Sequence, residues 1–156
     1  MRDFEEWYEH MYPRLVTTLS ITLGSAEEAK EVASDAFLAA YSQWARVSLM
    51  ENPDGWTYRA AVNRARRRGR RRRAEREVAH HLAPKVPIES DNFTALRELL
   101  DDLPPRMRQV VALRHVADLT EVAVGEVLGI SRGTVSSTLR DAYERLSLLI
   151  ETEEQR

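Results

Sequence analysis

The chain contains no cysteine, which removes disulfides, thiol nucleophiles and thiolate metal sites from consideration. No apolar run approaches the roughly 20 residues needed to cross a bilayer. The opening stretch MRDFEEWYEHMYPRL is acidic and aromatic, unlike a secretory signal. These absences point to a reducing, cytoplasmic setting with no membrane insertion. There is no glycine-rich phosphate loop and no nucleophile–base signature, so neither an enzyme nor a cofactor is expected. His10, His80, His81 and His115 lack metal-ligand spacing with carboxylates, and no metal site is expected either. Strand-like alternation persists nowhere, and no internal repeat is present.

What the chain does have is an uneven distribution of charge. Its 156 residues, 43% of them hydrophobic, suffice for one ordinary domain or two small ones. The formal net charge is only −2, yet ARRRGRRRRAER at residues 65–76 holds eight arginines. Residues 1–58 carry 4 basic and 10 acidic side chains, residues 59–76 carry 10 arginines against Glu75, and residues 77–156 carry 9 basic and 14 acidic side chains. A solvated charge run, a nucleic-acid contact and a sorting signal all fit a basic block in isolation. Its concentration between two acidic stretches favours a polyanionic partner.

Periodicity is helical throughout. A first helix is expected over residues 3–22, interrupted or bent near Pro13. In LGSAEEAKEVASDAFLAAYSQW, the residues Ala29, Val32, Ala33, Ala36, Phe37, Ala40, Tyr41 and Trp44 recur at three- and four-residue steps and mark an inward face. Ser25 and Glu28 read as a capping box at its start, and the opposite face is mostly acidic. ENPDG at 51–55 reads as a turn, followed by a long helix from Trp56 that Gly69 frays or bends. Residues 77–93 lose periodicity, contain two prolines and read as a linker. Leu96, Leu99, Leu100 and Leu103 resume the pattern as far as Pro104-Pro105. The second of these prolines suits the first turn of a further helix with Met107, Val110, Val111 and Leu113 on its apolar face. The fold class is therefore all-α, with two small helical domains joined by a flexible linker. The acidic tail ETEEQR is expected to fray.

LTEVAVGEVLGISRGTVSSTLRDAYERL, residues 119–146, is the most specific segment. Thr120 can cap one helix that turns Val124 and Leu128 inward. Gly129 can take positive φ, and Ser131 can cap a second helix that buries Val135, Leu139, Ala142 and Leu146. Apolar anchors placed this way around a glycine fit a helix-turn-helix. An ordinary helical hairpin is the bland alternative. The second helix would present Arg132, Gly133, Thr134, Ser136, Ser137 and Arg140 outward, short donors able to approach a major groove closely.

The segment LDDLPPRMRQVVALRHVADLTEVAVGEVLGISRGTVSSTLRDAYERL resembles region 4 of the extracytoplasmic-function sigma factors, bacterial promoter-recognition subunits. Its Leu-Pro-Pro-x-x-Arg start, Leu-Arg middle helix, Leu-Gly turn and Gly-Thr-Val follow in the family's order. AKEVASDAFLAAYSQW and WTYRAAVNRARRR resemble two helices of the family's region 2. The resemblance spans nearly the whole chain. It implies a region 2-like domain at 1–76, a linker at 77–93 and a region 4-like helix-turn-helix domain at 94–152.

The resemblance also implies roles. Glu28, Glu31, Ser34 and Asp35 match the surface that docks on core RNA polymerase, with Ser34 standing where the family has glutamine. Phe37 in that helix is read as core. Val47, Ser48, Trp56, Ala60 and Asn63 match the part that captures a flipped base of the melted minus-ten element, although the indole of Trp56 is read first as core. Arg64, Arg67, Arg68 and Arg71 match the helix that runs beside promoter DNA, where salt-sensitive phosphate contacts hold the duplex while other residues read it. Arg132, Gly133, Thr134, Ser136, Ser137 and Arg140 match the reader of the minus-thirty-five element. Ser136, Thr138 and Asp141 stand where basic residues are common, which implies weak recognition, help from another protein, or an unusual element. The partners implied are core RNA polymerase, promoter DNA and an anti-sigma protein. A stand-alone helix-turn-helix regulator remains the main alternative, and an arginine-rich RNA-binding module the next.

Overall fold

The computed structural model describes residues 2–79 and 91–155, with side chains described outside 70–79 and 91–94. Eight α-helices and no strand occupy the described residues. Helix α1 covers Phe4–Leu23, capped by Asp3, whose carboxylate accepts from the Glu6 amide at 3.0 Å. It runs unbroken through Pro13, where a bend was expected. Pro13 and Glu9 are both exposed, so water can satisfy the Glu9 carbonyl that the ring leaves unbonded.

Helix α2 spans Ala26–Ser42, and the Ser25 hydroxyl accepts from the Glu28 amide at 3.2 Å, as the capping motif predicts. Ala29, Val32, Ala33, Ala36, Phe37 and Ala40 are buried. The alanines among them let α2 approach its neighbours closely. Phe37 packs edge-on against Trp7 and Tyr8 and is core, as read from the sequence. Tyr41 departs from the expected inward face. It is 63% exposed and leans its ring edge-on against Phe4 at the rim of an aromatic cluster.

A four-residue helix, α3, covers Trp44–Val47 and leads to α4 at Pro53–Ala79. The turn expected at 51–55 is shorter than that. Asn52 caps α4 by accepting from the Gly55 amide at 2.9 Å, and Pro53 takes the first helical position, so Asp54 and Gly55 already lie within the helix. The backbone stays helical through Gly69 as far as Ala79, and α5 begins at Asp91, so both ends of the expected linker are helical. Its middle, 80–90, lies outside the described residues.

Helices α5 (Asp91–Asp101) and α6 (Pro105–Val111) flank the proline pair, with Pro105 at the start of α6 as anticipated. A π-helical turn at Ala112–Val116 continues α6 and ends near Asp118, which holds φ at 55°. Helix α7 (Glu121–Leu128) and helix α8 (Arg132–Glu154) complete the chain, and the tail expected to fray is helical as far as Glu154. Thr120 and Ser131 cap these two helices, each accepting at 3.1 Å from the amide three residues on. Gly129 closes the turn between them at φ 70°.

One requirement of that turn is not visible in the helical pattern. A β-carbon on Gly125 would lie 2.7 Å from the Ile130 carbonyl oxygen, and the Ile130 amide donates to the Gly125 carbonyl at 3.0 Å. Only a glycine lets α7 meet the turn this closely.

The two halves share one hydrophobic core, in which α1 and α4 lie against α6, the π turn and α7. Two arginines fasten the junction. Arg66 on α4 donates to the Leu128 carbonyl at the end of α7 at 3.2 Å, and Arg97 on α5 donates to the Gly24 carbonyl at 2.7 Å. A cavity of about 160 Å³, lined by Leu19, Val62, Leu113 and Leu128 among others, remains between the halves.

Candidate nucleic-acid interface

Three surfaces carry the residues singled out from the sequence. On the outward face of α2, Glu31 and Ser34 are exposed and Asp35 is half-buried. Glu28 begins the same stripe one turn earlier. Its side chain is buried in the first turn, at 8% exposure, which removes it from any flat docking surface. Leu38, one turn beyond Asp35, is 68% exposed and extends the stripe. Sequence reading passed over it, although an apolar residue outside the core positions of an amphipathic helix is a visible signal.

Arg68 of α4 reaches across to this face. Its Nη1 lies 2.6 Å from Glu31 Oε2 and its Nη2 lies 3.2 Å from Asp35 Oδ2. A residue matched to DNA is thus paired with two residues matched to polymerase.

The second surface is the start of α4 and the loop before it. Trp56, Ala60, Asn63 and Arg67 follow one another at four-, three- and four-residue steps and form one stripe along α4. Trp56 and Ala60 are half-buried, while Asn63 and Arg67 are exposed. Arg64 sits on the neighbouring face and donates to the Ala60 carbonyl at 3.4 Å. The side chain of Arg71 lies outside those described. Val47 and Ser48 do not join the stripe, because the turn of α3 folds both inward, to 0% and 6% exposure. Leu49, 76% exposed, is the residue that this loop presents outward.

Beneath the stripe, Tyr58 is fully buried, and its hydroxyl has no hydrogen-bond partner among the described residues. Burial pushes its phenol well above the usual tyrosine range, with the charge of Arg14 pulling less strongly the other way. The aromatic cluster is tied to α4 by Trp7 Nε1, which donates to Asp54 at 2.7 Å.

The third surface is α8. Arg132, Gly133, Thr134, Ser136 and Arg140 are exposed and Ser137 is half-buried, while Val135, Leu139 and Ala142 are buried beneath them. Leu146, expected inside, is only partly covered. Ser136 Oγ donates to Glu121 Oε2 at 2.6 Å, and Arg132 Nε lies 3.6 Å from the same oxygen. Glu121 drew no attention in the sequence, since an acidic first turn is ordinary for a helix. On the same stripe of α8, next to Arg140, the Tyr143 hydroxyl and His115 Nε2 share a hydrogen bond of 2.6 Å.

No helix among the described residues is long and apolar enough to cross a membrane. Among the same residues, no group of histidine and carboxylate side chains could hold a metal ion.

Two family models match the chain in order: Sigma-70 region 2 over residues 7–75 and Sigma-70, region 4 over residues 99–147. The RNA polymerase sigma-E factor of Streptomyces antibioticus is 30% identical over 155 residues, covering 96% of this chain and 86% of that protein. The ECF RNA polymerase sigma factor SigW of Bacillus subtilis is 26% identical over 144 residues, covering 80% of this chain and 76% of that protein. Among solved structures, the sigma factor RpoE of Bartonella quintana, in complex with the anti-sigma factor NepR, has the same fold. It gives a TM-score of 0.80 at 17% identity, over 97% of this chain and 98% of that one.

Proposed function

The chain belongs to the extracytoplasmic-function sigma factors, which bind core RNA polymerase and direct promoter recognition, and from that premise we propose how its surfaces divide the work. Sigma factors are non-enzymatic initiation factors, so the work is binding and positioning.

The first domain, residues 1–76, docks on polymerase through Glu31, Ser34, Asp35 and the exposed Leu38. Carboxylates beside an apolar side chain on one helix face suit a basic helical partner. The stripe Trp56, Ala60, Asn63 and Arg67 receives the melted minus-ten strand, where an amide can read a base edge and arginine meets phosphate. Arg64, Arg68 and Arg71 hold the adjoining duplex. The second domain, residues 94–152, reads the minus-thirty-five element through Arg132, Gly133, Thr134, Ser136, Ser137 and Arg140. The stretch 77–93 joins them. The protein acts in the cytoplasm beside polymerase, and an anti-sigma protein of the kind bound to the Bartonella quintana relative is the regulator we assign to it.

The observation that carries this division is the shared stripe on α4, next to an acidic face on α2 of the same domain. A stand-alone regulator would have no use for either surface. The test is co-migration of the purified chain with core RNA polymerase on gel filtration, with Glu31→Lys and Asp35→Lys together as the contrast. Loss of co-migration in the double variant, with helicity unchanged, supports docking through α2. Unchanged co-migration overturns that assignment.

A further inference from the structure

Glu121, the first residue of α7, joins two of the groove-facing residues of α8. Both contacts, from Ser136 Oγ at 2.6 Å and from Arg132 Nε at 3.6 Å, fall on Oε2. Oε1 has no partner among the described residues. The Glu121 side chain is 31% exposed and that of Arg132 72%, and both line the same surface hollow. Arg114 lines the shallow hollows on both sides of Glu121, one shared with Arg132 and the other with Ser136 and Arg140.

A carboxylate on a phosphate-facing surface weakens binding to any duplex. Ser136 and Arg132 hold this one in place, and its free oxygen offers an acceptor immediately beside the arginine donors. In the major groove a cytosine–guanine pair shows the complementary order, with the N4 amine of cytosine beside O6 and N7 of guanine. Asparagine, serine or threonine in place of Glu121 would lack either the reach or the charge to set that order.

We propose that Glu121 is a specificity-determining residue of the upstream-element reader. Its Oε1 accepts from cytosine N4, and its Oε2 holds Arg132 so that the guanidinium donates to the guanine of the same pair. The inference rests on α8 being the helix that reads duplex DNA.

The test uses the full chain with core RNA polymerase and a promoter library randomised across the upstream element, sequenced before and after binding. The native chain should prefer cytosine–guanine at one position by about tenfold. Glu121→Gln retains an acceptor for Ser136 but gains an amide donor, so the preference at that position should move toward adenine, which a glutamine reads through N6 and N7. Glu121→Ala should flatten the preference there. Both variants should bind non-promoter duplex more tightly than the native chain, because a negative charge has left the surface. A purely structural role would instead weaken binding to every sequence alike, and that result overturns the inference. A preference unchanged in both variants also overturns it while leaving the reading of α8 intact. No upstream preference in the native chain overturns the reading of α8, and the inference with it.

Discussion

Arg68 and Glu31 meet across the α2–α4 seam at 2.6 Å, and the same guanidinium holds Asp35 at 3.2 Å. The three side chains are 30%, 55% and 47% exposed, so water screens the pairing and each bridge contributes no more than about 1 kcal/mol. A contact this weak can be exchanged for another. Under the assignments proposed above, polymerase would compete for the carboxylates and DNA for the guanidinium.

Replacing Arg68 with alanine leaves Glu31 and Asp35 unpaired at little structural cost. With both bridges lost, thermal unfolding should shift by no more than about 8 °C. Affinity for core polymerase, measured by biolayer interferometry, should rise several-fold at low salt and converge on the native value at high salt. Weaker binding at low salt would show that the bridge presents the carboxylates instead of occupying them.

The neighbouring arginines Arg66 and Arg67 should separate by function. Arg67 is exposed, so Arg67→Gln should lower the slope of log affinity against log salt for promoter DNA by about one phosphate equivalent, 0.7 to 0.9. Arg66 donates to Leu128, so Arg66→Gln should loosen the junction of the two halves, read as a larger radius of gyration by small-angle scattering. Equal salt slopes and equal radii for the two variants would remove the distinction.

Gly125→Ala introduces a β-carbon 2.7 Å from the Ile130 carbonyl, a backbone atom that cannot swing aside. The strain should cost about 1–3 kcal/mol, more than the helix propensity an alanine gains. Hydrogen exchange of the amides from Val124 to Val135 should speed up while those of α2 stay protected. Uniform protection would mean that the turn relaxes freely.

Tyr58 connects stability to alkaline pH. Its phenol titrates above the ordinary value of about 10 only because the fold holds it away from water. The stabilisation this implies is complete below that value and is lost as pH rises beyond it, since the unfolded chain ionises first. Tyr58→Phe should be at least as stable at neutral pH, because the buried hydroxyl lacks a partner, and its decline above pH 10 should be shallower. Parallel pH profiles for the two proteins would contradict this.

Local features were legible in the sequence because neighbours in the chain create them. The caps at Ser25, Thr120 and Ser131, the proline start of α6, the glycine turn at Gly129 and the buried face of α2 all depend on residues a few positions apart. Features set by packing were not legible. Tyr41 lies on the apolar side of α2 by spacing but beyond the edge of its neighbours, and the short α3 turns Val47 and Ser48 inward. In sequence, Arg68 is matched only to DNA, and its pairing with Glu31 and Asp35 depends on α2 lying beside α4. Glu121 looked like an ordinary acidic helix start until the turn of the helix-turn-helix brought Ser136 against it.

The close junction of the two halves limits how far apart the molecule can hold its two contacts with a promoter. A compact body of this length has a radius of gyration of about 15 Å. Elements centred on minus ten and minus thirty-five lie roughly 25 base pairs apart, about 85 Å along a duplex at 3.4 Å per step. Under the assignment proposed above, the molecule in this arrangement is a folded pair of calipers, too short to span what it measures. The Arg66–Leu128 and Arg97–Gly24 bonds act as its clasp, and a promoter can be gripped at both ends only after the clasp is undone.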